Sequence, residues 1–152
     1  MQGNLANTYQ ALGRLCEALP LRIGVYAGRL KLLGEEHAKT LIAANNYAHC
    51  LLALRHYAEA KGLLRKIVPV ARRVLGDSHQ TTLLMRWSCA EALYKDGSGS
   101  LGELREAVTT LEEIERVEQR VLGGAHPTTL DLERDVRDAR AALRARETSR
   151  SA

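Results

Sequence analysis

Apolar residues recur at helical spacing along almost the whole chain. Leu41, Ala44, Ala48, Leu51 and Leu52 form one stripe, and after Arg55 and His56 a second follows at Tyr57, Ala60, Leu63, Leu64, Ile67 and Val74 or Leu75. Each stripe predicts a helix with one buried face. Between the stripes one phrase is written three times: LLGEEHAKTL at 32–41, VLGDSHQTTL at 74–83 and VLGGAHPTTL at 121–130. Gly34 and Gly76 are 42 residues apart, and Gly76 and Gly123 are 47 apart, so the chain is a repeat array with one five-residue insertion.

The phrase is punctuation. Gly34, Gly76 and Gly123 are expected to stop a helix in the left-handed backbone conformation, and His37, His79 and His126 to hydrogen-bond the start of the next. Pro127 suits a first helical position, where its missing N–H has no intrahelical partner. This predicts helices over 2–12, 15–33, 38–54, 57–75, 80–95, 101–122 and 127–146. The insertion at 96–100, DGSGS, reads by composition as a flexible loop.

The offset brings Ala6 onto Ala48 and Ala90, and Ala18 onto Ala60 and, with the insertion removed, Ala107. A small residue in the first helix of each pair and an alanine twelve positions later in its partner resemble the tetratricopeptide repeat. The 42-residue period, Asn45-Asn46-Tyr47-Ala48 and His56-Tyr57-Ala58-Glu59-Ala60 resemble more specifically the repeats of kinesin light chains. The likeness covers most of 3–140. It departs from the common pattern where tryptophan is replaced by Gln2, Ala44 and Arg86.

The resemblance implies an all-α fold: a right-handed α-α superhelix, or solenoid, of about three tetratricopeptide-like helix pairs plus a C-terminal capping helix. The expected organisation is one domain over 1–147, with repeats at 1–35, 36–77 and 78–124, the cap at 127–146 and a disordered tail at 148–152. Arg137 takes the place of Ala6, Ala48 and Ala90 in the last helix, which suits a solvated cap. The first helix begins at Met1 with no capping residue before it, as in a piece cut from a longer array.

The same resemblance places the first helix of each pair on a concave, peptide-binding groove. The positions implied are Asn4 and Asn7; Asn45, Asn46 and His49; and Trp87, Ser88, Glu91, Tyr94 and Lys95. Asparagine amides both donate and accept, which suits an extended peptide backbone. Trp87 and Tyr94 are rigid rings of the type that dominate binding energy.

Composition narrows the remaining choices. An apolar fraction of 45%, a charged fraction of 26%, three prolines and no phenylalanine fit a helical, ordered chain. No apolar run is long enough to span a membrane and no signal peptide opens the chain, so a cytoplasmic protein is expected. Cys16, Cys50 and Cys89 form no CxxC pair and are expected to be small apolar packers. His37, His79 and His126 sit in separate repeats, too far apart to share a metal ion. No nucleophile, phosphate-loop or cofactor motif is present.

The expected function is therefore a non-catalytic module that binds a peptide segment of a protein partner, without cofactor, metal or small-molecule substrate. The alternative is a structural or oligomerisation segment of a larger repeat protein, with self-association through repeat ends. Nucleic-acid binding through Arg134, Arg137, Arg140, Arg144, Arg146 and Arg150 ranks lower, because Asp131, Glu133, Asp135 and Asp138 are interleaved with the arginines and no aromatic residue lies among them.

Overall fold

The computed structural model describes residue 5 and residues 13–152, and among these all regular structure is helical. Six helices follow one another: α1 Leu15–Leu33, α2 Ala38–Ala53, α3 Tyr57–Leu75, α4 Gln80–Lys95, α5 Leu101–Leu122 and α6 Pro127–Ser151. The expected helix at 2–12 lies outside the described residues. One compact unit ends at Ser88 and a second runs from Cys89 to Ala152. Each is described by itself.

In the first unit α1 packs on α2, and α2 on α3. Small residues let the backbones approach: Ala18, Ala44, Ala48 and Ala60 have no exposed surface, and Leu41, Leu51, Leu64 and Met85 fill the space between them. In the second unit α5 packs on α6 around Leu104, Ala107, Leu111, Ile114, Leu132, Val136 and Ala139. The paired alanines of the repeat, Ala48 with Ala60 and Ala90 with Ala107, are thus buried as their spacing predicts.

The thrice-written phrase does what its chemistry suggests. His37, His79 and His126 each accept a hydrogen bond at Nδ1 from the backbone N–H two residues on, at 3.1, 3.1 and 3.2 Å. An imidazole therefore takes the place usually held by serine or aspartate at a helix start. The buried Thr40 and Thr82 donate their hydroxyls back to the carbonyls of Arg29 and Ala71, tying each second helix to the next first helix, whereas Thr129 donates to Gly123 within its own linker.

The glycines differ from expectation in detail. Gly34, Gly76 and Gly123 have φ of 84°, 96° and 85°, but with ψ of 158–169° rather than the value of a left-handed helix. This region is essentially closed to residues with a Cβ. Each glycine N–H still closes the last turn, on the carbonyls of Leu30, Arg72 and Gln119.

The α2–α3 turn is a Schellman motif, with His56 N–H on Leu51 O and Arg55 N–H on Leu52 O. Arg55 carries its positive φ of 61° where the preceding copy has Gly13.

Three other expectations are corrected. The insertion is organised, not a slack loop: Asp96 accepts from the backbone and hydroxyl of Ser98, and Ser100 and Glu103 form a reciprocal capping box at the start of α5. Arg146 closes over it, donating to Gly99 O at 2.6 Å and Gly97 O at 2.7 Å. The last helix also continues to Ser151 where a tail was expected from 148. No glycine or proline interrupts it, and the hydroxyls of Thr148, Ser149 and Ser151 bond the carbonyls four residues back. Cys16 is exposed rather than packed, while Cys50 is buried and Cys89 half-buried.

Candidate peptide-binding face

α2 brings three of the expected residues into the first unit, and helical geometry separates their roles. Asn45 turns inward and is buried, with a side-chain oxygen that finds no partner among the described residues. Asn46, one position on, is half-buried, and its amide makes no hydrogen bond among the described residues. His49, nearly a turn further, stands exposed. Its Nε2 lies 3.2 Å from the hydroxyl of Ser88 on α4, a hydrogen bond that joins the two helices. Ser88 is buried beneath it and Trp87 beside it is half-buried.

The first unit thus presents Asn46 and His49 with Trp87 at the border, while Asn45 and Ser88 support them from below. Such an arrangement holds an amide, an imidazole and an indole ring on a fixed helical frame. Asn4 and Asn7 lie outside the described residues.

The second unit treats its share of the expected residues differently. Tyr94 does not stand in a groove: it is 9% exposed, and its hydroxyl donates to Asp135 on α6 at 3.2 Å. Burial, with the Asp135 carboxylate beside it, pushes the phenol far above its ordinary value. Glu91 and Lys95 pair with each other at 2.6 Å across one helical turn, and the Lys95 ammonium sits 5.9 Å from the Tyr94 ring centroid. This cluster is stitched together from within. A signal for it was present in the sequence: Asp135 falls within the apolar stripe of Leu132, Val136 and Ala139, where a carboxylate needs a buried donor.

Three of the six arginines of α6 are similarly engaged. Arg134 pairs with Asp131, Arg140 reaches Glu112 through two nitrogens, and Arg146 holds the insertion. The imidazoles of the linkers are each occupied by a helix start. Among the described residues no cluster of histidine, cysteine or carboxylate side chains has the arrangement of a metal site. No described helix is long and apolar enough to cross a membrane.

A concavity lies elsewhere in the first unit. A cleft of 630 Å³ opens between α1 and α3 above α2, with Tyr26, Leu30, Tyr47, Leu63, Ile67 and Val70 among its walls. The stripe of α2 that floors it, Thr40, Leu41, Ala44 and Tyr47, lies on roughly the opposite side of the helix from Asn46 and His49 at about 100° per residue. Motif reading missed it, because a cleft between two second helices has no phrase of its own.

Known proteins share the repeat architecture. The tetratricopeptide-repeat family model matches residues 1–73. A Podosopora anserina protein described as a kinesin light chain with nearly identical TPR-like repeats superposes with a TM-score of 0.81 at 28% identity, over 93% of this chain and 64% of that one. A single-substitution variant of it gives the same values. BtubC (BKLC) from P. vanneervenii shares the fold at a TM-score of 0.65 and 17% identity, over 97% of this chain and 61% of that one. This chain therefore spans under two thirds of the length of these structures. No curated protein sequence matches it. Repeat period, paired alanines, helix order and superposition agree: the chain has a tetratricopeptide-repeat fold, with repeats similar to those of the kinesin light chain structure.

Proposed function

We propose that this chain is a non-catalytic interaction module that binds a peptide segment of a partner protein along the first helices of its repeats, at Asn46, His49 and Trp87. The tetratricopeptide fold is in general a protein-interaction scaffold, and the observation that carries the reading is the state of α2. There a half-buried amide without a partner among the described residues stands beside an imidazole braced by a serine on the neighbouring α4. Polar groups held at a surface by packed helices are prepared to bond a peptide backbone at little cost in ordering. The cytoplasm is the compartment proposed.

A test is selection of binders from a random twelve-residue peptide library, followed by calorimetric titration. Asn46→Ala together with Trp87→Ala is expected to weaken the selected peptide by at least about tenfold, equivalent to about 1.4 kcal/mol. Unchanged affinity would sink the assignment. If no peptide is selected and sedimentation shows concentration-dependent association, the spacer or oligomerisation reading replaces it.

A further inference from the structure

The cleft between α1 and α3 is separate from the face just described. It exists because two floor positions are small: Ala44 on α2, and Gly62 on α3, where an added Cβ would meet nothing within 4 Å. Its volume of 630 Å³ is in the range of ligand-binding clefts.

Two tyrosines mark the site. The rings of Tyr26 and Tyr47 lie 6.0 Å apart at 39°, one contributed by α1 and one by α2. Each has a carboxylate in the lining, Glu35 near Tyr26 and Glu59 near Tyr47. Glu35 has no ion-pair partner among the described residues, and Glu59 has only His56, at 3.6 Å. Lys66 is the one cation among the lining residues, so the lining carries one net negative charge. Tyrosine faces are themselves negative and attract cations. Burial raises both phenols, and the nearby carboxylates raise them further, the response expected where the local potential favours positive charge. Leu30, Leu63, Ile67 and Val70 supply apolar walls that suit a methylene stem or neighbouring aliphatic residues.

We propose that this cleft binds a lysine or arginine side chain projecting from an apolar segment of a partner protein, with the cationic head between Tyr26, Tyr47 and the carboxylates of Glu35 and Glu59. The apolar walls take the stem and its neighbours. Because the site is formed by other residues, it does not depend on the peptide-binding face of α2 and α4.

Two blocked pentapeptides, Gly-Leu-Arg-Leu-Gly and the same sequence with glutamate for arginine, provide the probes, titrated into the full chain and followed by NMR. The arginine peptide is expected to shift the ring signals of Tyr26 and Tyr47, and to weaken as salt rises. Gly62→Leu fills the cleft with a better helix former, so it is expected to abolish these shifts without lowering the melting temperature. Glu35→Gln with Glu59→Gln is expected to weaken binding about tenfold, as loss of two charge contacts allows. Asn46→Ala with Trp87→Ala is expected to leave the probe bound. Equal or tighter binding of the glutamate peptide, or arginine binding that survives both Gly62→Leu and the double Gln variant, would overturn the proposal. Loss of binding in the Asn46 and Trp87 variant alone would move the probe to the other face.

Discussion

The two compact units are built from the same repeat, yet they dispose of the polar side chains on their first helices differently. Up to Ser88, Asn46 and His49 stay at the surface and a cleft remains open over Ala44 and Gly62. From Cys89 onward the corresponding positions are engaged within the unit: Tyr94 is buried against Asp135 and Glu91 pairs with Lys95, while at the surface Arg140 reaches Glu112 and Arg146 holds the insertion. The same helical frame thus leaves Asn46 without a partner among the described residues in one unit and engages Tyr94 in the other. Repeat identity fixes where a side chain stands, while its use depends on what another helix supplies.

The third copy of the linker shows the same contrast. Leu41 and Leu83 are 1% and 4% exposed, but their counterpart Leu130 is 51% exposed, since no described helix lies over that side of α6. Arg137, in place of the buried Ala48 and Ala90, is accordingly solvated.

Removing polar groups should cost stability in the second unit and affinity in the first. The largest effect is expected for Tyr94→Phe, which takes the phenol donor from the buried Asp135 carboxylate and should cost about 1–3 kcal/mol in chemical denaturation. Its pH dependence gives an independent check. The folded Tyr94 phenol is raised above its unfolded value near 10, so its contribution is complete below about pH 10 and is lost as pH rises through the folded value. The advantage of wild type over Tyr94→Phe should shrink on the alkaline side, and a constant difference up to pH 11 would remove the assigned cause.

Arg146→Met keeps the stem and deletes both charge-assisted bonds to Gly97 and Gly99. A cost of about 1–2 kcal/mol is expected, with faster amide hydrogen exchange at Gly99, whose N–H bonds Asp96 O. Undisturbed exchange at 96–100 would show that the insertion holds itself.

The smallest effect on stability is expected in the first unit. Asn46→Ala should change stability by no more than about 0.5 kcal/mol, because its amide has no partner among the described residues to lose. A loss of 2 kcal/mol would put Asn46 with the structural amides and dissolve the contrast between the units.

Helix limits from 15 to 122 were legible in the sequence to within a residue, because Gly34, Gly76 and Gly123 end helices by backbone geometry and the imidazoles restart them locally. The end of α6 was not, since its run to Ser151 draws on hydroxyl bonds and on Arg146, whose acceptors lie 47 and 49 positions earlier. The capping box at Ser100 and Glu103 was readable as S-x-x-E but was hidden within a segment that composition marks as a loop. At the site, periodicity put Asn46 and His49 on α2 and located Trp87 and Ser88 on α4. It could not tell that Tyr94 is engaged by a residue 41 positions away, nor that Ala44 and Gly62 together leave a cleft, because both facts depend on how separate helices meet.

The most direct test of the contrast is backbone NMR of the full chain during titration with the tightest peptide selected from a random library. The account predicts perturbations centred on Asn46, His49 and Trp87, with α5 and α6 unchanged. Perturbations confined to α5 and α6, with Asn46 and His49 silent, would contradict it.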